Sequence, residues 1–330
     1  MINKSTEQNS NNLHEWLKPL ALTGGKMLSH RIMPGPMEGV MSPLFCKVIN
    51  ELNLVDYWIT PFIGLSTAPP RLSILRKKLD QFISSGMPTI VQILCSNPET
   101  AAKGAKQINK LDITGINLNF ACPSKRVLAS SNGSSLLLKP ELMLKIIESI
   151  KQECPELSIS LKLRTGYSSS DEFKTFIPLL INSGIDFIML HFRTAMERYN
   201  PVENGPLRIA EAVKLASPIP IIASGDIFTL DTAEEMYNIS SCQGITVARG
   251  ILKDPFLIRR IESYLKKEKL NMEGDSKLEF SRLMGKTVRK SPSYYIRSNF
   301  LGLLKSIWGI NSPNFKKLIN LPDEQIINYF

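Results

Sequence analysis

Eight short apolar runs of the kind found in β-strands recur along the chain, and most precede an amphipathic stretch with helical spacing. The runs begin near Arg31, Tyr57, Thr89, Gly115, Ser158, Asp186, Ile219 and Gly244. Strands that alternate with helices predict a parallel sheet, and eight such units predict an α/β fold of the (β/α)8 TIM-barrel type. An open doubly wound sheet is the alternative. However, no Gly-x-Gly-x-x-Gly motif follows any of the runs, so the usual dinucleotide signal of that fold is absent.

The strand pattern ends near Lys269, and residues 271–277 read NMEGDSK, which is typical of a linker. Beyond it the apolar residues follow helical spacing, as Phe300, Leu303 and Leu304 show. We therefore expect an N-terminal extension over residues 1–30, a barrel over 31–268 and a small C-terminal helical domain over 275–330. The extension begins with a polar segment rich in Asn and Ser, which we expect to be partly disordered.

Several features indicate the cellular compartment. No stretch approaches the roughly 18 apolar residues of a membrane span, and the N-terminus lacks the apolar segment of a signal peptide. Five cysteines are scattered without a Cys-x-x-Cys pair, which argues against a disulfide framework or a zinc site. We expect a cytoplasmic monomer with no membrane partner and no bound metal.

Positive charge is concentrated at the C-terminal end. The formal net charge is +10, and residues 251–330 hold 15 basic against 8 acidic residues, or +7. The preceding 250 residues hold 25 against 22, or +3, whereas residues 281–317 contain eight basic residues and no acidic one. This distribution favours a polyanionic partner for the helical end. A solvated charged face is the simpler alternative.

Polar residues and glycines stand at the predicted carboxyl ends of six strands, where a barrel of this type forms its active site. They are Gln92, Asn117, Asn119, Lys162, Arg164, His191, Arg193, Gly225, Asp226, Arg249 and Gly250. One polar residue at a strand end is usually just solvated. Six converging sets predict a binding site.

The last two sets, Ser224-Gly225-Asp226 and Ala248-Arg249-Gly250, follow the seventh and eighth strands, where this fold commonly binds phosphate. Glycine lets backbone N–H groups approach phosphate oxygens, and Arg249 adds a charge-assisted contact. Together with a strand-end lysine and glutamine, this pattern suits flavin mononucleotide (FMN). Lys162 would face the N1/C2 edge of the ring and Gln92 its pyrimidine side. Ordinary tight turns and a paired structural lysine are the alternatives.

Cys122 and His191 are the remaining candidates for chemistry. Cys122 follows the fourth strand, with Lys125 and Arg126 close behind it. A thiol on a loop with basic neighbours is placed to exchange a proton, while a small buried hydrophobe is the alternative for any single cysteine. His191 ends the sixth strand, where a functional role competes with that of a core histidine.

Seven motifs resemble those of the tRNA-dihydrouridine synthases. They are PGPMEGV (34–40), TIVQIL (89–94), INLNFACPSKRV (116–127), SLKLRTGY (160–167), LHFRTAMERY (190–199), IIASGDI (221–227) and VARG (247–250). The match runs from about Arg31 to Lys266, with a weaker one over residues 292–308. The resemblance implies an FMN-binding barrel followed by a helical domain that binds tRNA.

The resemblance also implies roles for individual residues. Cys122 would be the general acid. FMN would be bound by Pro36, Met37, Glu38, Gln92, Lys162, His191, Ser224, Gly225, Asp226, Ala248 and Arg249. The target base would contact Asn119, and further substrate contacts would come from Lys125, Arg126, Tyr199 and Arg297.

The chemistry that the resemblance implies is reduction of uracil within tRNA. NADPH would reduce FMN and leave, a hydride would pass to C6 of uracil, and Cys122 would protonate C5. The base must first be turned out of its stack, which requires electrostatic contacts elsewhere on the RNA. The basic helical end would supply them.

The Glu of PMEGV and the segment PSYYIRSNFLGLLKSIW (292–308) look most like the bacterial subfamily C, which acts on uridine 16 of the D-loop. That pattern would place a basic residue within residues 61–65 and more than one within 296–298. This sequence has Gly64 in the first segment, and in the second only Arg297 is charged, between Ile296 and Ser298.

Other positions depart from the family pattern near the flavin site. Ala121, Phe192 and Ala248 stand where glycine is usual, Ser224 where asparagine is frequent, and Cys95 replaces another glycine. Alanine fits where the backbone keeps φ below zero, whereas Phe192 needs a gap to fill.

Two other functions remain open at this point. A flavin reductase of free pyrimidines would share the barrel and the cofactor, although the basic helical end argues against it. A tRNA-binding module that has lost catalysis is the second, and the departures from glycine suggest it.

Overall fold

The eight predicted runs form the strands of one parallel barrel, so the predicted (β/α)8 fold is confirmed. The computed structural model describes residues 14–65, 69–269 and 275–330. Its strands are β1 (Leu20–Leu22), β2 (Lys26–Leu28), β3 (Ile32–Pro34), β4 (Trp58–Ile59), β5 (Ile63–Gly64), β6 (Thr89–Leu94), β7 (Gly115–Asn119), β8 (Ile159–Arg164), β9 (Phe187–His191), β10 (Ile221–Ser224) and β11 (Gly244–Val247).

Helices follow most barrel strands, as the helical spacing after the apolar runs predicts. They are α1 (Pro43–Glu51), α2 (Leu72–Ile83), α3 (Pro98–Ile108), α4 (Lys125–Ala129), α5 (Pro140–Glu153), α6 (Phe173–Leu180), α7 (Gly205–Ala216), α8 (Leu230–Ser240), α9 (Arg249–Lys253), α10 (Leu257–Lys266), α11 (Ser276–Lys290), α12 (Arg297–Trp308), α13 (Pro313–Leu318) and α14 (Asp323–Ile327). Local sequence explains where α3 begins. The Asn97 side chain accepts a hydrogen bond from the Thr100 N–H, and Pro98, which has no N–H, needs no acceptor at the first helical position.

The barrel strands pair in the order β4-β6-β7-β8-β9-β10-β11-β3, and β5 adds a short second pairing to β6. All of these pairs are parallel, so the carboxyl ends of the strands lie at one end of the barrel. The apolar cluster inside the barrel combines isoleucines and methionines with the rings of Tyr57 and Phe187. The polar strand ends are therefore concentrated at a single mouth.

A cluster of charged side chains lies near the amino ends of β3 and β4. These two strands are neighbours, but among the described residues no backbone hydrogen bonds pair them. The His30 Nε2 atom lies 2.8 Å from carboxylate oxygens of both Asp56 and Glu262. Arg259 pairs with the same two carboxylates, at 2.7 Å each. Burial lowers the pKa of His30, but hydrogen bonds to Asp56 and Glu262 outweigh it and raise that pKa overall. Arg259 therefore offsets part of the negative charge of the two carboxylates.

An N-terminal hairpin, β1–β2, closes the amino end of the barrel and was not predicted. Its Leu20 and Leu28 pack in one cluster with Phe187 and other strand residues. The Trp16 indole N–H donates to the Cys242 carbonyl at 2.8 Å. The second half of the expected extension is therefore part of the barrel's core, whereas the expected disorder at its start falls within residues 1–13, outside the described residues.

The C-terminal helices pack directly on the barrel. Phe280 of α11 contacts Phe45 of α1, with ring centroids 6.0 Å apart, and Phe300 of α12 belongs to the same continuous apolar core. Residues 271–274 of the expected linker lie outside the described segments, whereas Ser276 and Lys277, also expected in the linker, belong to α11. Among the described helices, none is long and apolar enough to cross a membrane.

Candidate active site

A cavity of about 440 Å³ opens at the carboxyl ends of the barrel strands. This volume is within the range of small-molecule and cofactor pockets. Most of the predicted site residues line it: Pro36, Met37, Glu38, Gln92, Asn119, Cys122, Lys162, His191, Tyr199, Ser224, Gly225, Asp226, Ala248 and Arg249. The cavity therefore brings together the predicted acid and every predicted cofactor-binding residue.

Strand register explains this convergence. Asn119 on β7 is paired with Lys162 on β8, and Arg164 on β8 is paired with His191 on β9. His191 is in turn paired with Ser224 on β10. Because every second residue of a strand faces the same side, Lys162 and Arg164 both point into the mouth.

A chain of buried side-chain hydrogen bonds crosses three strands beneath the cavity. Asn117 donates to Ser160 at 2.9 Å, Gln92 donates to Asn117 at 2.8 Å, and Asn119 donates to Gln92 at 2.8 Å. These bonds fix the orientation of each amide. They leave the Asn119 Oδ1 atom as an acceptor, and it receives the backbone N–H groups of residues 121 and 122, both at 3.0 Å. Asn119 was expected to contact the target base, but its side chain already holds the Cys122 loop.

The Cys122 loop is held from two further directions. The buried Arg164 guanidinium donates to the Ala121 carbonyl at 2.8 Å, and Ser134 donates its N–H and its hydroxyl to the Cys122 carbonyl, both at 3.1 Å. The thiol itself has one weak contact, with the Ser124 hydroxyl at 3.6 Å. The backbone is thus fixed while the sulfur stays partly exposed at the cavity.

Gly133 lies directly against this loop, and we expect Gly133→Ala to displace it. Gly133 has φ +61, and an added Cβ would lie 2.6 Å from the Cys122 carbonyl oxygen. The variant should lose about 2 to 4 kcal/mol of unfolding free energy and change the alkylation rate of the Cys122 thiol, because the Cys122 carbonyl must move. Thermal denaturation and the alkylation rate of Cys122, followed by mass spectrometry, measure the two effects.

Gly86→Ala is the matched control for backbone strain. Gly86 has φ +72, but nothing lies within 4 Å of an added Cβ. It should cost about 1 kcal/mol from backbone strain alone and leave Cys122 alkylation unchanged. Equal effects of the two substitutions on thiol reactivity would contradict a special contact between residue 133 and the loop.

Cations dominate the floor of the cavity. Lys162 forms no hydrogen bond or ion pair with any described residue. Burial and then repulsion from Arg164 lower the pKa of Lys162 to about 8. The pKa of His191 falls well below its ordinary value, because of burial and then the nearby cations, with Arg164 and Lys162 contributing most. Its Nδ1 atom accepts the Arg193 backbone N–H at 3.1 Å, which leaves the proton of the neutral ring on Nε2.

The predicted phosphate loops form the opposite wall. Gly225 has φ +133 and Asp226 has φ +51, so the turn needs a residue without a side chain at its first position. Arg249 donates to Asp226 at 2.9 Å, and its guanidinium lies 4.8 Å from the centroid of the Tyr199 ring. The Thr246 hydroxyl, which belongs to a lining residue, is buried without a hydrogen-bond partner among the described residues.

The structure accommodates Phe192, one of the departures from glycine near this wall. The ring of Phe192 fills the space beside two glycines, since an added Cβ would lie 2.7 Å from it at Gly205 and 2.3 Å at Gly225. Ala248 has φ −106 and ψ −89, so its φ is below zero and its ψ lies outside the common α and β regions.

Three predicted substrate-binding residues do not line the cavity. Lys125 and Arg126 are exposed in the first turn of α4, where Arg126 lines a neighbouring cavity. Arg297 forms an ion pair with Asp323 and donates to the Leu321 carbonyl at 3.1 Å. It therefore ties the C-terminal helices together, and its binding of substrate stays a prediction.

Sequence reasoning listed Asn117, Arg164 and Arg193 among the polar residues at strand ends but gave them no individual role, and it did not identify Thr246. Asn117 donates to the Ser160 hydroxyl and Arg164 to the Ala121 carbonyl. These partners lie on other segments of the chain, and strand spacing alone does not identify them.

The fold and the site define a (β/α)8-barrel enzyme with a cation-lined pocket at the carboxyl ends of its strands. The chain belongs to the dihydrouridine synthase (Dus) family, whose sequence model matches residues 33–301. The resemblance found in the sequence is thereby confirmed.

Individual relatives agree with this assignment. A tRNA-dihydrouridine(16) synthase from Haemophilus influenzae is 30% identical over 243 residues, which cover 72% of this chain and 78% of that protein. One from Ralstonia nicotianae is 28% identical over 251 residues, covering 74% and 76%. The old yellow enzyme from Trypanosoma cruzi has 12% sequence identity and a TM-score of 0.55, covering 86% of this chain and 99% of its own, and supports the barrel fold.

Proposed function

We propose that the protein reduces the C5=C6 bond of a uridine in tRNA, with FMN as bound cofactor and NADPH as the transient hydride donor. The observation that carries this proposal is the convergence in one cavity of a partly exposed thiol, a half-buried lysine that forms no ion pair with a described residue, and the turn at Gly225. Membership of the dihydrouridine synthase family supports the same reaction.

The lining residues fit FMN in two respects. The unpartnered Thr246 hydroxyl and the positive Arg249 lie on the wall where a phosphate would bind. The unpaired Lys162 cation, costly in an empty pocket, gains a partner if it faces an electron-rich ring edge. We infer that FMN is held by Pro36, Met37, Glu38, Gln92, Lys162, His191, Ser224, Gly225, Asp226, Ala248 and Arg249. When bound, FMN supplies the hydride that adds to C6 of uracil.

The protein's own side chains then stabilise charge and supply the proton. Cys122 gives its proton to C5 of uracil, and its fixed backbone keeps the thiol at one position on the cavity rim. Lys162 would offset negative charge at the N1/C2 edge of the reduced ring, and Arg164 holds the Cys122 loop through the Ala121 carbonyl. His191 stays neutral, and its Nε2–H group would donate a hydrogen bond to FMN.

Uridine 16 is the position that we propose for the reaction. Relatives that match about three quarters of the chain carry this position in their names. The C-terminal helices provide a basic surface for folded tRNA, since seven of the eight cations in residues 281–317 are exposed: Arg282, Lys286, Arg289, Lys290, Lys305, Lys316 and Lys317.

A single assay series tests the proposal. The purified protein should be yellow and should form dihydrouridine in an unmodified tRNA transcript supplied with NADPH, and mass-spectrometric mapping should locate it at position 16. Reduction of free uracil or uridine at comparable rates, with no need for tRNA, would instead indicate a free-pyrimidine reductase. Colourless protein that binds tRNA without reducing it would indicate a non-catalytic module.

A further inference from the structure

A second cavity, of about 690 Å³, adjoins the first, and both are lined by Glu38 and Phe62. Its walls come from β5, helix α2 and the segment 124–132. None of the proposed chemical steps takes place there. Because Glu38 and Phe62 line both cavities, the second cavity lies directly beside the first.

Two cations line the second cavity, Lys78 on α2 and Arg126 on α4. Both side chains are exposed, and neither forms an ion pair with any residue in the described segments. Glu38 is the one carboxylate among the residues that line this cavity. The cations are thus available to an anionic ligand, and Phe62 offers a half-buried aromatic ring next to them.

The substrate itself supplies such a ligand. A uridine in tRNA is joined to a nucleotide on each side, so a base inserted in the first cavity carries a neighbouring phosphate and base to its rim. Phosphates pair with Lys and Arg, and bases stack on aromatic rings. The second cavity presents both kinds of contact within one continuous space.

We propose that the second cavity binds a nucleotide adjacent to the target uridine, with Lys78 and Arg126 contacting the phosphates and Phe62 stacking on the base. The proposal rests on the proposed function, because it requires a polymeric RNA substrate. This binding would explain how the barrel itself holds the RNA segment that carries the extruded base. The site is distinct from the basic surface of the C-terminal helices, which lies on other elements.

The test is a double substitution, Lys78→Ala with Arg126→Ala, in the full-length protein loaded with FMN. We expect tRNA affinity to fall about tenfold at moderate salt, and the slope of log K against log salt to shrink by about 0.7 to 0.9 for each phosphate that the variant no longer neutralises. KM for tRNA should rise with kcat unchanged, because neither residue touches the reacting atoms. FMN content and melting temperature should match the wild type, since both side chains are exposed.

Lys145→Ala with Lys214→Ala is the matched control. Both lysines are exposed and form no described ion pair, and they lie on α5 and α7. If both double variants show the same salt slope as the wild type, or if the Lys78/Arg126 variant loses kcat alone, the proposal is wrong. Failure of the wild-type protein to form dihydrouridine would contradict the proposed function, while the salt slopes would still report on this surface.

Discussion

Cys122→Ala should retain bound FMN and lose turnover on tRNA by about 10² to 10⁴-fold, the usual contribution of a general acid. The protein contacts of residue 122 are mainly made by its backbone, and its sulfur has only the weak contact with Ser124. Alanine therefore removes the proton without disturbing the loop. Reduction of the enzyme by NADPH should stay normal, whereas reoxidation by tRNA should slow, and rapid-mixing absorbance measurements separate the two steps.

Cys154→Ala is the control for loss of a thiol elsewhere. Cys154 is buried at the end of α5 and does not line the cavity. Its substitution should reduce stability slightly and leave both half-reactions at wild-type rates. Wild-type turnover in Cys122→Ala would remove that residue from the mechanism.

Lys162→Met should stabilise the FMN-free protein and at the same time lower turnover at least a hundredfold. The variant removes a cation that no described carboxylate balances, which should raise the free energy of unfolding by about 1 to 3 kcal/mol at pH 7. It also removes the positive charge next to the reacting ring. Urea denaturation of the FMN-free proteins and steady-state kinetics of the loaded proteins measure the two effects.

The pH dependence gives the Lys162 prediction a definite sign. Its pKa is about 8 in the folded protein and 10.5 ordinarily, so between these values the unfolded chain binds more protons. The stability of the FMN-free wild type should therefore gain a contribution as pH rises from about 8 toward 10.5, and Lys162→Met should lack it. Lys145→Met, at an exposed position, is the control. A Lys162→Met protein less stable than wild type would show that the lysine is structural.

Much of the barrel could be predicted because each strand presents a recognisable run and the order of strands follows from the parallel fold. The glycine-containing turns after β10 and β11 and Lys162 were placed at the cavity for the same reason, since they belong to or directly follow those runs. The β1–β2 hairpin was missed because its three-residue strands are too short to show a period. Its stability comes from packing against Phe187 and other distant residues.

The role of Asn119 shows a second limit of prediction from sequence. Its position at a strand end predicts a polar group at the mouth, which the structure confirms. Its hydrogen-bond partners depend on how Gln92 on β6 and Asn117 within β7 orient its amide. Such an arrangement involves side chains from separate strands, and the spacing of residues along one strand contains no information about it.

The N-terminal hairpin has a consequence for biosynthesis. Trp16 and the hairpin are made first, but their partners include Asp186 and Cys242, and the Trp16–Cys242 bond spans 226 residues of sequence. A growing chain therefore exposes these apolar side chains on the ribosome until most of the barrel has been translated. Non-local contacts of this kind slow folding and leave the nascent segment open to chaperones and proteases. The end of the barrel opposite the active site can therefore be completed only after residue 242 has been made.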